Sequence, residues 1–158
     1  MSLDDPRKHR NPKPTVDVIV EVPGGIILIE RRHEPLGWAI PGGFVDEGEP
    51  VEAAAVREMS EELNLQVVLT ELLYVYSDPR RDPRHHTLTT VFVGRPKNTG
   101  DVPRAGDDAK ATKIVSADAP PALAFDHADV LADYAQFKKT GRRPDPMRFF
   151  ERWRSRPT

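Results

Sequence analysis

The chain has 158 residues, contains no cysteine and carries a formal net charge of −2 at pH 7. This length is typical of one compact domain, and the absence of cysteine excludes disulfides and thiolate chemistry. The near-neutral charge gives no reason to expect a nucleic-acid partner. The sequence has no N-terminal apolar stretch typical of a signal peptide and no apolar run long enough to span a membrane. We therefore expect a cytoplasmic protein that acts without nucleic acid or membrane.

The predicted elements mix strands and helices along the chain. Residues 1–14 are polar and contain proline, which predicts a loose lead-in. Alternating β-branched and apolar residues then predict strands over 15–22, 26–32, 38–40, 66–76, 87–94 and 111–115, the fourth being one long or two short strands. Apolar residues at helical spacing predict helices over 50–63 and 127–139. Several strands with two helices in mixed order favour an α/β sandwich around a mixed sheet.

Residues with particular backbone preferences mark the ends of these elements. The sequence PGG at 41–43 should break the strand before it. Pro50 suits the first turn of a helix, where its missing N–H costs nothing, and Asn64 suits a left-handed position that ends the first helix. Asp126 is a suitable N-cap for the second helix.

The first predicted helix concentrates negative charge on one face. Glu58, Glu61 and Glu62 are spaced i, i+3 and i+4, so they share that face. Like charges at this spacing oppose helix formation by about 0.2–0.5 kcal/mol per pair, and the helix field near the C-terminal end also disfavours anions. A divalent cation would cancel this repulsion, and oxygen ligands suit Mg²⁺ or Mn²⁺. A solvated acidic face is the alternative explanation for the three glutamates taken alone.

A longer pattern surrounds these glutamates. Gly43 is followed after five residues by Glu49, and after seven more by the run REMSEELNL at 57–65. This pattern resembles the Nudix box of Nudix hydrolases, in which glycine, glutamate and an Arg-Glu-apolar-x-Glu-Glu-x-Gly-apolar run stand at these spacings. Every fixed position matches except the last glycine, where Asn64 stands. Because asparagine tolerates the left-handed backbone better than most residues, we expect this difference to do little harm.

The resemblance implies a Nudix-type α/β/α sandwich around a mixed sheet, with the domain over residues 15–141. It also implies a metal-dependent hydrolase in which water attacks a phosphorus atom. The implied cofactor is Mg²⁺ or Mn²⁺. The implied metal ligands are the carbonyl of Gly43 and the side chains of Glu58, Glu61 and Glu62.

The same resemblance assigns roles to the other residues of the box. Arg57 joins the three glutamates in the implied catalytic group. Glu49 and Arg57 are expected to form an ion pair that ties the loop to the helix, which is a structural role. The general base stays open among Glu61, Glu62 and an acid from a mobile loop, since a carboxylate within hydrogen-bond reach can remove the proton from water.

Two further stretches bear on the substrate. The loop SDPRRDPRHH at 77–86 and the sequence AGDDA at 105–109 resemble the branch of ADP-ribose pyrophosphatases and nucleoside diphosphate sugar hydrolases. Arginine and histidine donors suit phosphate and ribose oxygens. The expected substrate-binding residues are Arg32, Arg81, Arg84 and His86. In that branch a glutamate and a tryptophan often follow the second sequence, but here residues 110–115 read KATKIV. Asp107 and Asp108 are the remaining candidate site residues in this stretch, and the alternative is that they only form a turn.

These features predict hydrolysis of the pyrophosphate bond of ADP-ribose or a related nucleoside diphosphate sugar, giving a nucleoside monophosphate and a sugar phosphate. One alternative is a nucleoside triphosphate pyrophosphohydrolase that sanitises the nucleotide pool. An alternative from another class is a non-catalytic Nudix domain that senses nucleotides. The resemblance also implies a homodimer. The tail at 142–158 is basic and aromatic, and we expect it to pack on the domain or on a second subunit rather than bind nucleic acid.

Overall fold

The computed structural model describes residues 10–106 and 108–157. The elements in this part of the chain are, in order, β1 (Lys13–Val22), β2 (Gly25–Arg31), β3 (Trp38–Ala39), β4 (Gly42–Phe44), α1 (Val51–Leu63), β5 (Val67–Tyr76), β6 (Thr87–Pro96), β7 (Ala109–Val115), α2 (His127–Thr140) and α3 (Pro146–Arg154). Among these described residues, no helix is both long enough and apolar enough to cross a membrane.

The strands form one mixed sheet. Its main path has the order β3-β2-β1-β6-β5, with β4 paired to β1 and β7 paired to β2. The central strands β1 and β6 run parallel to each other. The other strand pairs are antiparallel. The parallel pair therefore lies at the middle of the sheet, where both faces are covered.

A hydrophobic layer lies on each face of the sheet. Successive side chains of a strand point to opposite faces, so Val16 and Val18 pack in one cluster while Ile19 packs in the other. Met59 of α1 belongs to the first cluster, and Leu131 of α2 belongs to the second. The two helices therefore cover opposite faces, and the predicted α/β/α sandwich around a mixed sheet is confirmed.

The end of α1 is fixed by its own cap and by a distant loop. Asn64 has φ 53° and ψ 36°, which confirms the predicted left-handed end. The Arg104 N–H donates to the Leu63 carbonyl at 2.9 Å, and the Gly106 N–H donates to the Glu62 carbonyl at 2.8 Å. A Cβ atom on Gly106 would lie 1.7 Å from the Glu61 carbonyl oxygen, so only glycine permits this approach. The loop therefore satisfies carbonyls that a helix end leaves without partners.

Several details of the strands differ from the prediction. β1 begins at Lys13, two residues inside the predicted lead-in, of which residues 1–9 lie outside the described part of the chain. β7 begins at Ala109 rather than at residue 111. Gly42 and Gly43 were expected only to break a strand, but they also form β4 against β1. A Cβ atom on Gly42 would lie 2.1 Å from the Val16 carbonyl oxygen, so glycine allows this pairing.

The tail contains a helix that the sequence analysis did not assign. Asp145 caps α3 by accepting a hydrogen bond from the Met147 N–H at 2.9 Å, and Pro146 occupies the first turn. The Asp-Pro pair is a usual helix start and could have been recognised in the sequence. Phe149 stacks on Tyr74 at 5.1 Å between ring centroids and meets Tyr76 edge-on, so α3 packs against β5.

Candidate active site

A cleft of about 260 Å³ opens between the N-terminal half of β1, the glutamate face of α1 and two later loops. Carboxylates and arginines line different parts of it. The acidic lining residues are Asp17, Asp46, Glu58, Glu62, Asp82 and Asp108, and the arginines are Arg31, Arg81 and Arg84. Asp107 lies outside the described residues. A cleft with both charges can hold cations and anionic oxygens together.

Glu62 is almost fully buried at the edge of the cleft. Its side chain is only 6% exposed, and its Oε2 accepts a hydrogen bond from the Gly42 N–H at 2.9 Å. Burial raises the pKa of Glu62 to about 8, and the charges of Glu58 and Asp17 add to this effect against the Gly42 hydrogen bond. Burial disfavours the ionised form of any carboxyl group that lacks a compensating cation.

Glu58 lies beside Glu62 and directly against the glycine of β4. Burial raises the pKa of Glu58, although the hydrogen bond from Arg57 opposes the shift. A Cβ atom on Gly43 would lie 2.3 Å from the Glu58 carboxyl group, so a larger residue at this position would displace that carboxylate. Glu61 differs from both neighbours because its side chain is 54% exposed, outside the cleft lining.

Arg57 connects the acidic loop to the helix. Its Nη2 lies 2.5 Å from Glu49 Oε1, and its Nε donates to Glu49 Oε2 at 3.1 Å. Its Nη1 donates to Glu58 at 2.9 Å and to Glu61 at 3.2 Å, and its Nη2 also donates to the Phe44 carbonyl at 3.0 Å. These contacts raise the pKa of Arg57, with the Glu49 hydrogen bond as the largest cause. The bidentate pair has the geometry of a strong charge-assisted contact.

The carboxylates of α1 do not converge on one point in this structure. Among residues 10–106 and 108–157, no group of three or more metal-binding side chains is arranged around a common position. Arg57 holds Glu58 and Glu61, while Glu62 is turned towards Gly42. The donor set is nevertheless made of oxygens, and two of its carboxyl groups have raised pKa values. Such a set fits a hard divalent cation, which would offset the buried negative charge.

Arg81 is held inside the fold and not at the open surface of the cleft. Its side chain is 5% exposed and forms a bidentate pair with Asp126 at 3.0 and 2.8 Å. It also donates to Thr87 at 3.0 Å and to Thr89. Asp126 makes no side-chain cap hydrogen bond, contrary to its predicted role as a helix cap. The pair therefore ties the loop at 77–86 to the start of α2.

The other three predicted substrate residues lie in different places. Arg84 lines the cleft and pairs with Asp82. Arg32 does not line the cleft, and its Nε donates to the Ala109 carbonyl at 3.0 Å. His86 is also outside the lining, with Nε2 at 3.0 Å from the Ser77 carbonyl. Arg31, at the end of β2, occupies the cleft in place of its neighbour.

The sequence analysis missed a buried pair at the floor of the cleft. His127 Nε2 lies 3.3 Å from Asp17 Oδ2, and His127 Nδ1 accepts a hydrogen bond from the Ile40 N–H at 2.9 Å. Because Nδ1 is an acceptor, the neutral ring carries its proton on Nε2, directed at Asp17. Only the sequence Phe-Asp-His at 125–127 offered a signal, and in it Asp126 was interpreted as a helix cap.

The fold and the cleft are suited to an enzyme that handles phosphate groups, because a carboxylate-rich helix and arginines share one cavity. Comparison with known proteins gives the family. The NUDIX domain model matches residues 11–134, and the chain belongs to the Nudix family and is a Nudix hydrolase.

Three known proteins illustrate the similarity. The chain is 42% identical over 134 residues to the ADP-ribose pyrophosphatase of Methanocaldococcus jannaschii, a match that covers 84% of this chain and 78% of that protein. A MutT/nudix family protein from Enterococcus faecalis superposes with a TM-score of 0.72 at 24% identity, over 84% of this chain and 64% of that one, less than two thirds of its length. The NUDIX domain of Shewanella oneidensis NrtR, solved with ADP ribose, superposes with a TM-score of 0.70 at 24% identity, over 86% of this chain and 94% of that one.

Proposed function

We propose that the protein hydrolyses the pyrophosphate bond of ADP-ribose or a related nucleoside diphosphate sugar, using a divalent cation and releasing a nucleoside monophosphate and a sugar phosphate. The observation that carries the proposal is a single cleft lined by Glu58 and Glu62 as well as by Arg31 and Arg84. A substrate with two linked phosphates needs both a cation site and donors for its remaining oxygens. The similarity to an ADP-ribose pyrophosphatase over most of the chain supports this substrate class.

The carboxylates of α1 would hold the cation. Glu58, Glu61, Glu62 and the carbonyl of Gly43 are the proposed ligands, and Mg²⁺ or Mn²⁺ suits these oxygens. When bound, such an ion neutralises phosphate charge and lowers the pKa of bound water. Glu58 and Glu61 accept hydrogen bonds from Arg57. Glutamate side chains have several rotatable bonds, so these carboxylates can turn towards a cation.

The protein's other residues orient the substrate and the loops around it. Arg57 and Glu49 hold the loop after β4 against α1, which fixes the position of Gly43 relative to Glu58. Arg81 fixes the loop that carries Arg84. A carboxylate at the cleft accepts the proton of the attacking water. Asp108 lines the cleft and joins Glu61 and Glu62 as a candidate for this base.

Product analysis tests the proposal directly. Purified protein is incubated with Mg²⁺ or Mn²⁺ and ADP-ribose, other nucleoside diphosphate sugars or nucleoside triphosphates, with and without EDTA. We expect AMP and ribose 5-phosphate from ADP-ribose, and no products when EDTA is present. Pyrophosphate released from triphosphates alone would contradict the proposal and favour the sanitising class. ADP-ribose binding without turnover of any compound would contradict it in favour of nucleotide sensing.

Three further properties remain predictions. We propose that the segment from residue 142 onwards packs on its own domain, which the contact of Phe149 with Tyr74 supports. A homodimer is expected from the resemblance and is tested by light scattering on a sizing column. A cytoplasmic location is expected from the sequence and is tested by cell fractionation.

A further inference from the structure

Two arginines of the cleft share one aromatic ring. The guanidinium carbon of Arg31 lies 4.8 Å from the ring centroid of Phe125, and that of Arg84 lies 5.5 Å from the same centroid. All three residues line the cleft. Both distances are within the range of cation–π contacts, which attract a guanidinium group to a ring face. The ring therefore brings together two cations that would otherwise repel each other.

Both arginines keep donors that no described residue engages. Arg31 uses its Nε for the Pro35 carbonyl at 2.7 Å, and the described residues offer no acceptor for its two terminal nitrogens. Arg84 uses Nε and Nη2 for the two oxygens of Asp82, at 3.1 and 3.0 Å. Its Nη1 has no hydrogen-bond partner among residues 10–106 and 108–157. These terminal N–H groups can donate to an anion.

Arg31 is a cation in an unfavourable environment. Burial lowers its pKa, and the charge of Arg84 lowers it further, although Glu62, Asp82 and Asp17 act in the opposite direction. Among the described residues, Arg31 has no carboxylate within the 4.0 Å limit of a salt bridge. Arg31 is partly buried, and a partly desolvated charge without a close partner is unfavourable, so a bound anion would stabilise it.

The backbone of Phe125 is unusual. It has φ 56°, one of two non-glycine residues with positive φ in the described chain. A bulky residue in this region is strained and persists only where its surroundings enforce it. Here the Ala124 N–H donates to the Trp38 carbonyl at 2.8 Å, and the His127 ring lies 5.1 Å from the Phe125 ring. This backbone conformation places the aromatic ring at the cleft, between the pair of arginines and the buried histidine.

We propose that Arg31, Arg84 and Phe125 form a subsite for a phosphate group, in which the arginines bind the phosphate oxygens and Phe125 is the positioning residue that holds the arginines together. The proposal rests on the proposed function for its place in the reaction, where the subsite binds the substrate phosphate that faces away from the carboxylates of α1. Two guanidinium groups with free N–H donors match the charge and the several acceptor oxygens of such a group.

Titration of inorganic phosphate in the presence of EDTA tests the subsite without any catalysis. Binding is followed by calorimetry for the wild type and for Arg31→Met, Phe125→Leu and Phe125→Tyr. We expect Arg31→Met to weaken binding by about tenfold, because a charge-assisted hydrogen bond is lost. Phe125→Leu keeps apolar bulk but removes the ring, and we expect about a fivefold loss. Phe125→Tyr keeps the ring and should bind within about twofold of the wild type.

Arg80→Met is the matched control. Arg80 is an exposed arginine of the same loop that does not line this cleft, so its replacement should leave phosphate binding unchanged. Thermal unfolding of each variant verifies that it is folded. If Phe125→Leu does not fold, Arg31→Met still tests the subsite. With Mg²⁺ and a nucleoside diphosphate sugar, Phe125→Leu should raise KM more than it lowers kcat.

The outcomes separate the subsite from the proposed function. No phosphate binding by the wild type, or equal binding by the wild type and Arg31→Met, would overturn the subsite. Equal binding by the wild type and Phe125→Leu would overturn the role of the ring. If the expected binding pattern is found but no nucleoside diphosphate sugar is cleaved, the subsite stands and the proposed function fails. If a nucleoside diphosphate sugar is cleaved but the expected binding pattern is not found, the proposed function stands and the subsite fails.

Discussion

Replacing Glu62 by glutamine tests the acidic face most directly. Burial and neighbouring charges raise the pKa of Glu62 from 4.5 to about 8, so the folded, cation-free protein keeps a proton that the unfolded chain has lost. A group whose pKa is raised on folding stabilises the fold at low pH, and this stabilisation is lost as the pH rises through the window. The window runs from 4.5 to about 8. At about 1.4 kcal/mol for each pH unit, about 5 kcal/mol is lost across it.

Glutamine removes the titration but keeps the local hydrogen bond. Its amide oxygen can accept from the Gly42 N–H as Glu62 does at 2.9 Å, and its side chain is neutral at every pH. In EDTA at pH 8 the variant should therefore unfold at a higher temperature than the wild type, by about 10–20 °C for a domain of this size. Thermal unfolding between pH 5 and pH 8 measures this. With Mg²⁺, turnover of the variant should fall by orders of magnitude because a proposed cation ligand is missing.

Glu52→Gln is the control for this experiment, because Glu52 is an exposed residue of the same helix outside the cleft. It should follow the wild type in both assays. The reasoning is refuted if Glu62→Gln loses as much stability as the wild type between pH 5 and pH 8. Near-wild-type turnover of the same variant would show that its carboxylate is not needed as a ligand.

Three further substitutions test local geometry. Gly43→Ala should keep the fold but displace the Glu58 carboxylate, which would lie 2.3 Å from the new Cβ, and so raise the Mg²⁺ concentration needed for half-maximal activity; an unchanged requirement would contradict this. Asn64→Ala should lower the free energy of unfolding in urea by about 1–2 kcal/mol, because alanine is strained at the φ of 53°. Asn64→Gly should lower it less. Arg81→Met should cost about 2–3 kcal/mol in the same assay, because it leaves the partly buried Asp126 carboxylate without its bidentate partner. Arg80→Met should change it by under about 0.5 kcal/mol, and equal values for the two arginines would refute the buried pair.

The first helix and its end could be predicted because local rules determine them. The expected helix at 50–63 is found at Val51–Leu63, and Asn64 ends it in the left-handed conformation. Proline at a first turn, apolar spacing along one face and asparagine at the end all act within a few residues of each other. The succession of strands and helices along the chain could also be predicted from residue patterns, and the expected mixed sheet is confirmed by the structure.

Which of the two arginines at the end of β2 faces the cleft could not be predicted, because an irregularity in the strand determines it. Arg31 is the last residue of this strand and Arg32 follows it, and successive residues of a strand point to opposite faces. The pairing of β2 with β7 shifts register between Glu30 and Arg31. Such a bulge changes which side chain faces inward and leaves little trace in the sequence. The structure consequently places Arg31 in the cleft, whereas the sequence analysis chose Arg32.

The loop at 77–86 shows why similar residues acquire different tasks. Arg81 and Arg84 look alike in the sequence, but Arg81 is buried against Asp126, a residue 45 positions away at the start of α2. That contact depends on the whole sandwich and cannot be inferred from the loop. Its guanidinium group is held by Thr87 and Asp126 together, so the loop has little freedom to move at this point. Because Arg81 is fixed, Arg84 three residues later is presented at the cleft beside Phe125. If Arg84 binds the substrate as proposed, the buried Arg81 contributes to that binding only through the position of its neighbour.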